Sequence, residues 1–425
     1  MDFELSPRTA ELLERLRAFL DEHVYPVEAE AHRALDEEVR PGAGVAYPRI
    51  LRELRARARE EGLWNLFMPD ERYGTGLKTW EYGVLCEEMG RSPVVAPMVF
   101  NCAAPDTGNM EILAEHGTDE QRARWLEPLL EGEIRSCFAM TEPEVSGSDP
   151  TTLQARAELD GEEWVINGHK WFTTGAVGAA FAIAMVVTDP DAHPYARASM
   201  IIVPTDAPGF ELVRPIPVMG HDGGPGHCEL RFHDCRVPAE NLLGPRQAGF
   251  AIAQDRLGPG RIHHCMRAIG TAERALEMMC RRANEREAFG GPLADKQFVQ
   301  EMVASSRMEI EQARLLTLRA AWEIDAHGKR AARRWISMIK IVAANVVMDV
   351  LDRAIQVHGS LGMSDDTPLA AMWRYSRMLR IADGPDEVHK MVVARRELNY
   401  WAKQAEGPSG PRPAARSSAR LHRAP

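Results

Sequence analysis

The chain of 425 residues is long enough for two or three domains, and its 27% charged and 45% hydrophobic residues are ordinary for a globular protein. Its formal net charge of -11 argues against non-specific binding to nucleic acid, which requires a basic surface. The seven cysteines form no closely spaced pairs, so they predict free thiols in a reducing compartment instead of a disulfide framework or a zinc site.

The first residues of the chain, Met1 to Glu4, lack the basic and apolar segments of a signal peptide. No run of apolar residues has the length that a bilayer-spanning segment needs. Together with the free cysteines, these features lead us to expect a cytoplasmic protein that partners neither a membrane nor nucleic acid.

Residues 1–131 are predicted to form a helical N-terminal domain. Leu12, Leu16 and Phe19 recur at helical spacing, with charged residues between them. A capping box at Thr118, completed three residues later by a glutamine, predicts the start of a helix that runs to residue 130. Further helices are predicted over residues 49–61, 79–89 and 106–116.

Residues 132–247 are predicted to form a middle domain of short antiparallel strands. β-rich runs separated by turn residues occur at residues 181–187, 199–203 and 228–232. A strand-forming triplet ends at Ile166 and is followed by Asn167 and Gly168, a pair that predicts a hairpin turn. Repeated short strands without intervening helices indicate a small antiparallel barrel or sandwich.

Residues 248–406 are predicted to form a bundle of long helices, because apolar residues recur at helical spacing along two segments. The two stripes consist of Ile262, Met266, Ile269, Leu276 and Met279, and of Trp335, Ile339, Val342, Val346 and Val350. Residues 407–425 contain four arginines, no acidic residue and much proline, serine and alanine. This composition predicts a disordered tail.

The segment around Asp383 predicts a tight turn between two helices. One helix is predicted over residues 367–382, with Thr367 as its N-cap and Pro368 at its first position. Glycine and proline follow Asp383 and end this helix, and another is predicted over residues 386–404. The pKa of Asp383 therefore depends on its placement relative to two helix dipoles. The local sequence alone favours a simple capping role.

Two segments combine residues that are suited to binding a flat heterocycle. Residues 137–149 form a loop rich in hydroxyl groups and backbone donors, although an ordinary turn would have a similar composition. In residues 167–175, Trp171 can stack on a ring while Thr173 reaches the polar edge of that ring. The alternative is a core tryptophan next to a solvent-facing threonine.

These two segments and four others occur in one order along nearly the whole chain. They are the loop MTEPEVSGSD at 140–149, NGHKWFTTG at 167–175, FHDCRVP at 232–238, REAFG at 286–290, Gln297, and QVHGS at 356–360. The ordered set resembles the acyl-CoA dehydrogenase family. Residues 257–265 and 382–389 most closely resemble the branch that contains acyl-CoA dehydrogenase family members ten and eleven and their bacterial relatives.

The resemblance implies an α+β fold of the acyl-CoA dehydrogenase type, with a helical domain, a middle antiparallel β-domain and a C-terminal four-helix bundle. It also implies FAD bound between the β-domain and the C-terminal helices of a homodimer or homotetramer, in which a neighbouring subunit completes each site. By matching positions, the flavin would be lined by Phe138, Met140, Thr141, Ser148, Trp171 and Thr173. The adenosine and pyrophosphate of the cofactor would be contacted across the subunit interface by Arg286, Phe289, Gln297, Gln356 and Gly359. Asp386 and Glu387 are implied as further cofactor contacts, because Pro385 replaces a threonine that is common in the family and offers the flavin no hydroxyl or N–H.

The reaction that the resemblance implies is α,β-dehydrogenation of an acyl-CoA thioester, as in fatty-acid β-oxidation, with electron-transfer flavoprotein as the acceptor and no metal. Asp383 matches the position of the family's glutamate base, and burial against flavin and acyl chain would raise its pKa. Aspartate is one methylene shorter, which removes roughly 1.5 Å of reach. Substrate contacts are implied for Arg261, Ser148 and Gly384.

Two other functions of the same fold stay open on the sequence. Some proteins of this fold bind flavin and nucleic acid and act in stress protection, and others are flavin oxygenases.

Substrates of the branch that the chain resembles include long, branched and 4-phosphorylated acyl-CoAs. His263 and His264 are candidates for holding a phosphate, or else a structural pair at the start of a helix.

Overall fold

The computed structural model of the protein describes residues 4–43, 45–221 and 223–405. A helical region, a central sheet and a set of long helices follow one another along the chain, which confirms the predicted α+β fold class. The tail predicted to be disordered, residues 407–425, lies outside the described residues. No helix in the described ranges combines the length and the apolar character needed to cross a bilayer.

The N-terminal region consists of helices packed on the later part of the chain. They are α1 (Pro7–Phe19), α2 (Glu28–Glu38), α3 (Arg49–Glu60), α4 (Thr79–Gly90), α5 (Val95–Val99), α6 (Asp106–His116), α7 (Asp119–Gln121) and α8 (Glu127–Leu130). The capping box predicted at Thr118 is confirmed, since its hydroxyl accepts from the Gln121 amide at 3.2 Å. The helix predicted to run from there to residue 130 is interrupted by a wider turn at Arg122–Leu126.

The middle region is one sheet whose strands pair in the order β6-β7-β3-β2-β4-β5-β8, with β1 added beside β4. The strands are β1 (Ser136–Ala139), β2 (Arg156–Asp160), β3 (Glu163–Thr174), β4 (Phe181–Val187), β5 (Ala198–Pro204), β6 (Phe210–Pro215), β7 (His227–Pro238) and β8 (Leu242–Leu243). The sequence predicted purely antiparallel pairing, but β1 runs parallel to β4. A crossover through β2 and β3 separates these two strands, and such a connection allows parallel pairing.

The hairpin turn predicted at Asn167 and Gly168 is wrong, because β3 continues through both residues. The register of β3 against β7 shifts between Ile166 and Gly168, so the two strands form a bulge there. Gly168 is required for close packing, since a Cβ there would overlap the side chain of Ala155. The strand is therefore bent at a glycine and not reversed by it.

The C-terminal region is built on two long helices. They and the smaller elements that follow are α9 (Gly249–Glu285), β9 (Glu287–Ala288), β10 (Gly291–Pro292), α10 (Gln297–His358), α11 (Ser360–Met363), α12 (Leu369–Arg377) and α13 (Asp386–Ala405). Helix α10 is broken at Gly328, where φ is 82° and ψ is 162°. Arg353 in its second half pairs with Glu309 in its first half at 2.6 Å, so the two halves lie side by side.

Helix α9 of the C-terminal region packs closely against α4 of the N-terminal region. A Cβ on Gly270 would overlap the Glu87 carbonyl oxygen of α4, and one on Gly90 would overlap the backbone of Arg267. Glycine at both positions lets the backbones of α4 and α9 approach closely. The two apolar stripes predicted for α9 and α10 are buried or partly buried, which confirms their orientation.

The helix predicted over residues 367–382 is shorter than expected. Helix α12 ends at Arg377 and is followed by a single tighter turn at Met378–Arg380. Thr367 is not its N-cap, because the Thr367 hydroxyl donates back to the Leu361 carbonyl at 3.4 Å. The chain then passes through Asp383 and Gly384 into α13, which begins at Asp386 as predicted.

Candidate active site

The turn at Asp383 is held in an unusual backbone conformation by contacts to two helices. Asp383 has φ of 56° and Gly384 has φ of 103°, so both lie in the left-handed region. The Asp383 carbonyl oxygen accepts a hydrogen bond from Arg261 Nε of α9 at 3.0 Å. The same oxygen lies 3.2 Å from His389 Nε2 of α13. The turn is therefore anchored through its own backbone on both sides.

The Asp383 carboxylate is surrounded by nitrogen-bearing side chains. Its Oδ2 lies 3.4 Å from His264 Nε2, and 21% of the side chain is exposed. Burial raises the pKa of Asp383, but the charges of His264 in its protonated form and of Arg261, Arg256 and Lys340 outweigh burial, and the net pKa lies below the ordinary 3.8. The raised pKa expected from the sequence is not what the protein's own groups produce. Asp383 is an ionised carboxylate at neutral pH and can accept a proton.

The two histidines that are candidates for holding a phosphate have different surroundings. His263 packs edge-on against the Tyr82 ring, with the centroids 4.8 Å apart, and burial lowers its pKa well below the ordinary value. Only His264 faces Asp383. Burial and the Arg267 charge lower the pKa of His264, so its ring is neutral at physiological pH. Both histidines lie in the middle of α9 and not at the start of a helix as expected, and His263 is packed in the core.

Sequence reasoning missed two buried cations near Asp383. Arg256 donates from Nε to Asn109 Oδ1 at 2.9 Å, and its guanidinium lies 4.1 Å from the centre of the Phe138 ring. Arg256 thus joins α9 to α6 and to the strand that carries the first predicted flavin contact. Lys340 is buried and donates to the Leu379 carbonyl, just before the turn.

One signal for both cations was present in the sequence. Arg256 follows Ile252 by four residues, and Lys340 follows Ile336 by four, so each cation lies on an apolar helix stripe. A charge on such a stripe indicates a buried ionic group, because helical residues four apart share one face.

The loop that contains Met140 and Thr141 is fixed by a buried ion pair. Lys170 is inaccessible to solvent and donates to Glu142 Oε1 at 2.8 Å, to the Met140 carbonyl at 2.9 Å and to the Met185 carbonyl at 2.7 Å. The Glu142 carboxylate also accepts from two backbone amides, those of residues 154 and 155. The Thr141 carbonyl accepts from the Trp171 amide at 3.0 Å, which ties the loop to β3.

Thr173 lies inside the protein and not on the surface. It is 1% exposed, and its Oγ1 has no hydrogen-bond partner among the described residues. A buried hydroxyl without a partner is costly, so a polar group of a bound molecule is the natural partner. The neighbouring Trp171 is half-buried, with its ring 5.0 Å from that of Phe172. Ser148 is exposed, and its hydroxyl lies 2.8 Å from that of Ser146.

Five of the other predicted cofactor contacts lie on the surface of the single chain. Arg286 and Phe289 follow the end of α9, Gln297 begins α10, and Gln356 and Gly359 lie at the end of α10. All five are exposed, and Phe289 is 98% exposed. The structure does not gather them around Asp383 within one chain.

The last two predicted cofactor contacts differ in burial. Asp386 is buried, and its Oδ2 accepts from Arg380 Nε at 2.9 Å and from Asn345 Nδ2 at 3.2 Å. Within the chain Asp386 therefore ties the start of α13 to α10 and to the preceding turn. Glu387 is exposed.

Comparisons with known proteins agree with this architecture. The sequence matches the N-terminal, middle and C-terminal domains described for acyl-CoA dehydrogenase over residues 6–133, 137–235 and 247–398. It is 52% identical to acyl-CoA dehydrogenase FadE2 of Mycobacterium tuberculosis over 94% of this chain and 97% of that protein. It is 49% identical to acyl-CoA dehydrogenase family member 10 of Mus musculus over 96% of this chain, but spans 38% of that longer protein.

A solved structure from Mycobacterium abscessus, assigned to the acyl-CoA dehydrogenases, superposes with a TM-score of 0.89. It is 49% identical and covers 94% of this chain and 100% of its own. The chain belongs to the acyl-CoA dehydrogenase family, whose members are oxidoreductases that act on CH–CH groups and bind FAD.

Proposed function

We propose that the protein is an FAD-dependent acyl-CoA dehydrogenase that introduces an α,β double bond into an acyl-CoA thioester. The observation that carries this proposal is the Asp383 turn. Asp383 bears an ionised carboxylate, and its backbone carbonyl oxygen is anchored by a hydrogen bond from Arg261. A positioned carboxylate is the group needed to remove a proton from the carbon next to a thioester.

Asp383 is the proposed base that takes the α-proton of the substrate. The thioester carbonyl gains negative charge as that proton leaves, and preorganised donors stabilise such charge. The Asp383 amide donates to no acceptor within the described part of the chain, so it is our candidate donor to the carbonyl. Gly384, Ser148 and the remaining guanidinium nitrogens of Arg261 are the proposed contacts to the rest of the thioester and CoA.

FAD is the proposed cofactor, and it supplies the acceptor for the hydride that leaves the substrate's β-carbon. The unpaired hydroxyl of buried Thr173 fits the polar edge of a flavin, and Trp171 lies beside it on β3. Phe138 on β1 and Met140 and Thr141 in the following loop are further proposed flavin contacts, and the ion pair between Lys170 and Glu142 keeps that loop in place.

A second copy of the chain is the proposed source of the remaining cofactor contacts. The exposure of Arg286, Phe289, Gln297, Gln356 and Gly359 supports a homodimer or homotetramer in which they reach the partner's FAD. An arginine suits the pyrophosphate because a guanidinium pairs well with phosphate oxygens. Glu387 is exposed and is retained as a proposed contact, whereas Asp386 acts through the position of α13. Electron-transfer flavoprotein is the proposed acceptor.

The proposal is tested by the visible spectrum of the purified protein and by titration with saturated acyl-CoAs in the absence of oxygen. We expect a yellow protein whose flavin absorbance is bleached, with formation of the enoyl-CoA. A colourless protein that cannot be reconstituted with FAD would overturn the proposal. Bleaching only by branched or 4-phosphorylated acyl-CoAs would define the substrate class. In a parallel assay in air, a hydroxylated product with oxygen consumption would instead indicate an oxygenase.

A further inference from the structure

We propose that His389 is a positioning residue for the base, which fixes the Asp383 turn by donating a hydrogen bond from Nε2 to the Asp383 carbonyl. The inference rests on the proposed role of Asp383. It assigns a function to a side chain that neither touches the carboxylate nor belongs to the proposed cofactor contacts.

The position of His389 on α13 aims its ring at the backbone of the turn. Its side chain is 4% exposed, and its Nε2 lies 3.2 Å from the Asp383 carbonyl oxygen. The ring also packs against Gly384, where an added Cβ would lie 2.9 Å from Nε2. Because Gly384 has a positive φ as well, glycine is required at that position for two independent reasons.

The direction of this hydrogen bond follows from the acceptor. A carbonyl oxygen can only accept, so His389 Nε2 carries the proton. Burial, Arg261 and Lys340 lower the pKa of His389 to about 4, so the ring is neutral and its Nδ1 has no proton at physiological pH. Nδ1 is buried without a partner in the described part of the chain. The ring is therefore a fixed donor and not a second acid.

The short side chain of Asp383 makes this anchor important. An aspartate has one torsion fewer than a glutamate with which to adjust, so a shift of the backbone moves the carboxylate almost directly. The left-handed conformation of Asp383 is one that residues with a side chain seldom adopt, and it persists only where surrounding contacts hold it. Arg261 and His389 together supply those contacts from two different helices, α9 and α13. A displacement of about 1 Å can lower a rate on the order of 100-fold.

The test compares His389→Leu, which removes the donor, with His389→Gln, which keeps a side-chain N–H of similar reach. His233→Leu on β7 is the matched control, because His233 is exposed and distant in sequence from every proposed site residue. For each variant we would measure FAD content, KM, the rate of flavin reduction by acyl-CoA, and the isotope effect with α-deuterated substrate.

We expect His389→Leu to reduce flavin roughly 100-fold more slowly with FAD content and KM little changed, and with a larger α-deuterium isotope effect. His389→Gln should recover to within about tenfold of the wild-type rate, and His233→Leu should equal wild type. If His389→Leu does not fold, His389→Asn, whose amide is shorter, replaces it and should be slower than His389→Gln. Equal rates for donor and non-donor variants would overturn the inference. Asp383→Asn is assayed in parallel, and wild-type activity in that variant would show that the proposed base had failed instead.

Discussion

Replacing Lys170 by methionine removes a buried charge that stabilises the fold and also holds the loop of the candidate flavin site. Lys170 makes three hydrogen bonds, to Glu142 and to the carbonyls of Met140 and Met185, and its side chain is inaccessible to solvent. Methionine fills a similar volume but offers no donor. The substitution therefore removes the ammonium donor from two carbonyls and from the Glu142 carboxylate, whose charge is left without a cation.

The expected cost is about 3 kcal/mol of unfolding free energy. Breaking a buried ion pair by removing one partner costs roughly 3–5 kcal/mol. The lower end applies because Glu142 keeps two backbone donors, the amides of Gln154 and Ala155. Burial already lowers the pKa of Lys170, so part of the gross interaction is offset by desolvation of the ammonium group. Adding Glu142→Gln removes the stranded charge and should recover about half of the loss.

The assay is the midpoint of urea unfolding of the purified protein, measured together with its flavin content. We would compare Lys170→Met, Glu142→Gln, the double variant, and Lys403→Met as an exposed-lysine control. We expect the single variant at position 170 to lose flavin readily, because the Met140 carbonyl no longer has its donor. A coupling energy below about 0.5 kcal/mol, with flavin content unchanged, would refute the reasoning.

Three further outcomes follow from the structure. Because the pKa of Asp383 lies below 3.8, its charge is present above that value and is lost as the pH falls through it. The acid limb of kcat/KM should therefore lie below about pH 4, and a midpoint above pH 5 would contradict the assignment. Burial raises the pKa of Glu111 from 4.5 to about 8. Its contribution to the free energy of unfolding is therefore complete below pH 4.5 and is lost as the pH rises to about 8, with a slope near 1.4 kcal/mol per pH unit. Glu111→Gln should stabilise the protein at pH 8.5 more than at pH 5 in urea unfolding, and an equal effect at both would count against this. Gly270→Ala should cost about 1–3 kcal/mol in thermal unfolding because the methyl group overlaps the Glu87 carbonyl, whereas Gly258→Ala, which meets open space, should cost nothing.

Local patterns predicted most of the secondary structure correctly. The predicted bounds of α6 and β4 agree with the structure at both ends, because each element is flanked by residues that end it. The pair Asn167-Gly168 was misassigned for a tertiary reason, since the glycine there serves close packing against Ala155. The helix before Asp383 was predicted too long at both ends, because the Thr367 hydroxyl bonds backward to Leu361 and the chain tightens into a separate turn at Met378–Arg380.

The position of Asp383 could be predicted from the sequence, but its environment could not. The turn follows from the glycine and proline beside it, whereas the groups that lower its pKa come from α9 and α10. Arg256 and Lys340 are separated from Asp383 by 127 and 43 positions in the numbering, and only packing brings their charges to it. His389 belongs to the segment 382–389 that resembles the family branch. The contact of its ring with the turn, however, depends on the left-handed backbone at Asp383.

The role of Asp383 as the base is tested most directly by stopped-flow flavin reduction with a saturated acyl-CoA, comparing wild type with Asp383→Asn. Asp365→Asn, at an exposed position, serves as the control. We expect Asp383→Asn to retain its FAD and to reduce it at least about 100-fold more slowly, since a positioned base contributes roughly 10²–10⁴-fold. Flavin reduction within about threefold of the wild-type rate in Asp383→Asn would contradict the assignment of the base.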